Sequence, residues 1–134
     1  MTKALFNGDG YGLWVTNGTT SGTRQIIVDN AVAIDPSDMT VFGKEVLFSG
    51  TNAFGFRGLW VTNGTTGGTH EIAVNFAFAK GVQPIGLTVL GKEALFAGSN
   101  DLGHIGLWVT DGTAKARINS MSVAPIPAAL RRWT

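Results

Sequence analysis

A chain of 134 residues is about one domain's worth, long enough to bury a sizeable core or one set of repeated modules. Ten basic and nine acidic residues leave a formal charge of +1, and only 14% of the chain is charged, so no field exists to draw in nucleic acid or an anionic membrane. No cysteine is present, which excludes disulfides, thiolate metal sites and cysteine nucleophiles.

The opening residues, MTKALFNGDG, hold too short an apolar run for a signal peptide, and no run approaches the ~20 apolar residues of a membrane-spanning helix. Neither a leader nor membrane insertion is expected of this chain. Nineteen glycines are about twice the usual ~7% share, so turns are frequent and helix signals poor. The only helical candidates are Ala73 to Lys80 and Ala128 to Trp133.

Read in order, the chain repeats itself. ALFNG at Ala4 leads through NGDGYG into GLWVTNGTTSGT at Gly12, and Arg24 to Val28 follows as a strand. DPSDMTV at Asp35 then opens a second copy: FGKEVLFSG at Phe42, a loop from Gly50 to Gly58, GLWVTNGTTGGT at Gly58, and His70 to Val74. QPIGLTV at Gln83 opens a third, with LGKEALFAG at Leu90 and GLWVTDGT at Gly106. The tryptophans fall 46 residues apart (14 to 60) and 48 apart (60 to 108), a period typical of repeat architectures.

Each period holds four strand-sized pieces. Met39 to Phe42 and Glu45 to Ser49, or Leu87 to Leu90 and Glu93 to Ala97, form a hairpin around a Gly-Lys turn. Three consecutive apolar residues, Val46, Leu47 and Phe48, put side chains on both faces, which requires a sheet covered on both sides. In the third strand Leu59 and Val61 take one face, Trp60 and Thr62 the other. Asn63-Gly64 and Asp111-Gly112 mark bends that need positive φ, lengthened by T-T-x-G-T.

The expected fold is all-β: a β-propeller-like array of about three four-stranded antiparallel blades, the first and last incomplete, in a single repeat domain spanning 1–134. Repeat 1 runs over about 3–38, repeat 2 over 39–86 and repeat 3 over 87–123, with a tail at 124–134 carrying Pro125 and Pro127. Flat stacking of the sheets, or a β-solenoid, is the alternative arrangement.

NGDGYG has the spacing of part of a calcium loop. However, Leu5, Leu13 and Asn17 stand at the remaining ligand positions, and Phe6 to Trp14 is four residues shorter than the equivalent Phe48 to Trp60. The segment reads as a shortened bend, and no metal or other cofactor is expected.

GLWVTDGTA at Gly106, GLWVTNGTTSGT and GLWVTNGTTGGT resemble the bacterial ELWxxDGT-type repeat proteins over about residues 4 to 115. Glycine replaces the Glu before Leu, Asn replaces Asp in the first two copies, and the signature decays after Thr113. The resemblance implies a propeller-like array, incomplete here, in a secreted or cell-surface protein longer than this chain, without a shared reaction.

Catalysis is not expected, because His70 and His104 recur at no equivalent position and no nucleophile elbow or H-E-x-x-H is present. Asp35 with Asp38, and Glu45 with Glu93, read as solvated strand ends rather than an acid/base couple. What does recur is Trp14, Trp60 and Trp108 beside Asn17, Asn63 and Asp111. These residues fit ligand-binding sugar platforms, with the indole face on a pyranose and the amide or carboxylate on its hydroxyls. They equally fit wedges between neighbouring sheets and bend-shaping side chains. The expected function is therefore a non-enzymatic binding or scaffold module, with a lectin-like, carbohydrate-binding propeller as the alternative. The loops Thr51 to Arg57 and Ser99 to Ile105 are candidate protein-contact surfaces, with Phe54, Phe56 and Arg57 as anchors. Three blades cannot complete a ring, so self-association is expected, two copies closing six blades. A glycan or a protein is the other expected partner.

Overall fold

A computed structural model describes residues 2–8, 10–28, 33–72 and 79–113. These form three antiparallel sheets taken in chain order. The first contains β1 (Ala4–Gly8), β2 (Gly12–Thr16) and β3 (Arg24–Ile26). β4 (Ser37–Phe42), β5 (Glu45–Thr51), β6 (Arg57–Thr62) and β7 (His70–Glu71) make the second, and β8 (Ile85–Leu90), β9 (Glu93–Ser99) and β10 (Ile105–Thr110) the third. The protein is all-β, and no helix occurs among the described residues.

Every sheet is a meander, each strand pairing with the next in sequence. The β4–β5 and β8–β9 hairpins turn on Gly43 and Gly91, at φ 63° and 64°, where a side chain would be strained. Register is the same in all three copies: Phe6 faces Trp14, Phe48 faces Trp60 and Phe96 faces Trp108. Each ring pair stacks with centroids 6.2 Å apart. The register of β4 on β5 slips between Ser37 and Thr40, and that of β8 on β9 slips at the matching place between Ile85 and Thr88. Asp38 (φ 56°) and Gly86 (φ 73°) sit at these bulges.

The core lies between the sheets. One cluster joins Leu13, Val15 and Ile26 of the first sheet to Phe48 and Trp60 of the second, with Ile34 from the linker. The other joins Leu47, Leu59, Val61 and Ile72 of the second sheet to Phe96 and Trp108 of the third, with Val82 from the next linker. At each junction the aromatic face of one sheet therefore covers the aliphatic face of the sheet before it. The second sheet is covered on both sides, and this explains its run of consecutive apolar residues. Among the described residues the outer two are covered on one.

Several sequence expectations need correction. β4 and β8 each begin two residues earlier than expected, at Ser37 and Ile85, because the bulge lets the chain after the linker keep pairing. β3 ends at Ile26 rather than Val28, since its pairing with β2 stops where Ile26 meets Leu13. β7 covers only His70 and Glu71: Ile72, expected in the strand, lies past its end, and the rest of the expected strand at 73–74 lies outside the described residues. Of the helical candidates, 73–78 and the tail also lie outside them, and residues 79–80 form a turn. The shortened first bend is a tight turn: Gly8 pairs with Gly12, the Tyr11 N–H donates to the Gly8 carbonyl at 3.2 Å, and Gly10 takes φ 89°.

Candidate functional site

The repeated tryptophans come first. Trp60 and Trp108 are each 1% exposed, and their rings lie under the preceding sheet. Trp60 Nε1 donates to the Gly50 carbonyl at 3.2 Å, and Trp108 Nε1 to the Gly98 carbonyl at 3.0 Å. A Cβ on Gly50 would stand 3.0 Å from Trp60 Cδ1, and one on Gly98 would stand 2.7 Å from Val82 Cγ2, so both acceptor positions leave no space for a side chain. Trp14 differs. It has no preceding sheet among the described residues, it is half-buried, and its Nε1 is shielded from solvent without a hydrogen-bond partner.

Asn17, Asn63 and Asp111 lie at the surface. Asn63 Oδ1 accepts the Thr65 N–H at 3.0 Å and its hydroxyl at 2.6 Å, closing an Asx turn. The Gly68 N–H donates to Thr65 Oγ1 and the Thr69 hydroxyl to the Thr65 carbonyl, while the buried hydroxyls of Thr62 and Thr69 bond each other. Asn17 with Thr19, and Asp111 with Thr113, repeat this geometry. The signature T-[ND]-G-T, extended by T-x-G-T in the first two copies, is thus a loop that bonds to itself through its own side chains. A Cβ at Gly22 or Gly68 would collide with the Asn17 or Asn63 side chain, which explains the second glycine of the signature. The structure therefore places the six candidate residues in two separate settings, tryptophans between sheets and amides or carboxylate in the outer loops.

Two features escaped the sequence reading. The first is the linker between sheets. The Thr51 N–H donates to the Ile34 carbonyl (2.8 Å) and the Asp35 N–H to the Tyr11 carbonyl (2.7 Å). At the next junction the Ser99 N–H donates to the Val82 carbonyl (2.7 Å) and the Gln83 N–H to the Arg57 carbonyl (3.0 Å). Each linker so ties one sheet to the next by two backbone bonds and an apolar plug, with Asp35 and Gln83 held at φ 45° and 53°. The second is Asn52, which accepts the N–H groups of Phe54 and Phe56, as Asn100 accepts those of Leu102 and His104. The shared N-x-x-G spacing was the available signal.

Arg57 is not the exposed anchor expected from its loop position. Its guanidinium donates to Thr51 Oγ1, Ser37 Oγ and the carbonyls of Asp35 and Ser49, and stands 3.7 Å from the Asp35 carboxylate. It lines a cleft of about 640 Å³ between the second and third sheets, with Asp38, Gln83 and Ile85. Asp38 is committed as well, its Oδ2 accepting the Leu87 N–H at 2.8 Å across the junction. Phe54 is 81% exposed, with its ring centroid 6.3 Å from that of the partly covered Phe56. Leu102 is its exposed counterpart in the third sheet. Among the described residues no group of three His, Cys, Asp or Glu side chains is placed to hold a metal ion.

Burial pushes the Glu71 carboxyl above its ordinary 4.5, against a smaller downward pull from Asn52 Nδ2, which donates to Oε1 at 3.3 Å. A raised folded-state value means that the folded protein holds its proton longer, so this group's contribution falls as pH rises through and above 4.5. Glu71→Gln, which keeps the acceptor without the charge, is expected to raise the urea midpoint at neutral pH. The gain disappears below pH 4.5, where the carboxyl is neutral in both states. Denaturation curves on both sides of that value check the sign.

No family model, curated protein or solved structure matches the chain.

Proposed function

We propose that the chain is a non-enzymatic binding or scaffold module built from propeller-type repeats of the ELWxxDGT kind, acting at a cell surface or outside the cell as part of a longer protein. The observation that carries this reading is where the repeated side chains are spent. Trp60, Trp108, Phe48 and Phe96 fill the junctions, and Asn63 with Thr62, Thr65 and Thr69 closes its own loop. What recurs builds the frame, and what varies from copy to copy, such as Phe54 against Leu102, points outward. A propeller arrangement draws support from the approach of the first strands of neighbouring sheets, where Thr40 Oγ1 lies 3.5 Å from the Leu87 carbonyl. Wedge-shaped stacking around an axis brings those strands together.

The test uses labelled chain applied to bacterial surface preparations and to immobilised glycans. Saturable retention is expected, and Phe54→Ser combined with Leu102→Ser abolishes it while leaving the urea midpoint unchanged. Retention that survives this pair but is lost in Trp14→Phe and competed by free sugar would instead favour the lectin reading. That reading rests on Trp14, the least covered of the three indoles.

A further inference from the structure

The two outer faces of the stack resemble the two halves of the junctions inside it. Inside the chain, an aromatic pair of one sheet seats on an aliphatic face of the sheet before it, and this happens twice. The first sheet presents the same aromatic pair with nothing before it among the described residues: Phe6 and Trp14, stacked at 6.2 Å as in the buried copies, with Phe6 37% exposed. The third sheet presents the aliphatic half. Leu107 holds the repeat position of Leu13 and Leu59, each 0% exposed, yet is itself 44% exposed. Val109 and Leu95 beside it are only partly covered, where Val61 and Leu47 are buried.

We propose that a second copy of this chain docks head to tail, its Phe6 and Trp14 face seated on the Leu95, Leu107 and Val109 face of the first. The occupant follows from continuity with the interfaces already present, because the partner surface that fits each end is the surface the same chain carries at its other end. The two patches differ, so the contact is heterologous and must either close into a ring or propagate. Two copies of three sheets make six, within the roughly four to eight blades of a closed propeller. Exposed apolar area is removed at both ends: what remains open of Phe6, Trp14 and Leu107, a fraction of the roughly 150–250 Å² that an aromatic ring buries in full. Trp14 Nε1 also gains what it lacks, since docking presses the indole toward the Gly8 carbonyl, the counterpart of the Gly50 and Gly98 acceptors.

This deepens the scaffold reading by naming its partner, and for the size of the assembly it rests on the propeller arrangement. Sedimentation of the full chain at about 100 µM, where an interface of micromolar dissociation constant is largely occupied, should give twice the chain mass. Leu107→Lys, at a position already open to solvent, should give the single-chain mass with unchanged far-ultraviolet circular dichroism. The absence of native cysteines permits a direct map. Phe6→Cys and Leu107→Cys chains, mixed and treated with a short bismaleimide, should yield a mixed cross-linked pair that neither gives alone.

A single-chain mass for the unaltered protein, or an assembly indifferent to Leu107→Lys with no mixed cross-link, overturns the docking. A ladder of larger species carrying the same mixed cross-link keeps the docking and overturns the six-sheet ring. Loop-dependent retention is read with Phe54 and Leu102, so the surface-binding proposal and this one fail separately.

Discussion

Trp60→Ala is expected to leave little folded protein at room temperature. The indole is 1% exposed, stacks on Phe48 at 6.2 Å, and lies in one cluster with Leu13, Val15 and Ile26 of the sheet before it. Removing so large a buried ring costs about 3–5 kcal/mol when the walls cannot collapse into the space. They cannot here, because the linker plug Ile34 is pinned by the Thr51 N–H and the strands on either side are held in register. The Gly50 carbonyl also loses the indole donor. Set against a total of about 5–15 kcal/mol for an ordinary domain, the loss takes most of the available stability. Trp14→Ala should cost less, because that ring is already partly open to solvent. Urea unfolding followed by far-ultraviolet circular dichroism checks the pair, and similar midpoints for the two variants would contradict the stacking account.

That difference between Trp14 and Trp60 shows where the sequence speaks and where it stops. Both tryptophans sit in an identical GLWVT string, so the text predicts the strand, the alternation of Leu59 and Val61 against Trp60 and Thr62, and the need for cover on both faces. It does not tell which copy has no preceding sheet among the described residues. The loops were legible for a related reason: the side chains of Asn63 and the threonines bond the loop's own backbone at Gly64 and Gly68, so the same chemistry demands the same letters in the first two copies. The linkers were not legible. Their anchors are backbone N–H and carbonyl groups, which almost any residue supplies, so Ile34-Asp35-Pro36 and Val82-Gln83-Pro84 share only an apolar residue and a proline. Arg57 was misjudged because it occurs once, and its four acceptors and the Asp35 carboxylate come from two separate stretches, 35–37 and 49–51, that only the fold brings to it.

The linker carries the second large prediction, at a residue whose letter gave no warning. Gly81 sits at φ 102°, outside the region that side-chain-bearing residues ordinarily adopt. A Cβ there would overlap the Arg57 carbonyl oxygen and stand 2.7 Å from its carbon, and both belong to backbone that cannot swing aside. The same carbonyl accepts the Gln83 N–H at 3.0 Å. Gly81→Ala must therefore push the linker off the second sheet, breaking that bond, withdrawing the Val82 plug from the core and loosening the Ser99 N–H from the Val82 carbonyl. Strain at a special backbone position together with a lost junction is expected to cost more than about 2 kcal/mol. Gly91→Ala supplies the contrast: its φ is 64° and nothing lies within 4 Å of the added methyl, so only the backbone term of about 1–2 kcal/mol applies. Hydrogen exchange separates the two mechanisms. Gly81→Ala should strip protection from the Gln83 and Ser99 amides ahead of the strand interiors, whereas Gly91→Ala should lower the β8–β9 hairpin without touching that junction. Equal protection at Ser99 in the two variants would show that the linker does not hold the third sheet to the second.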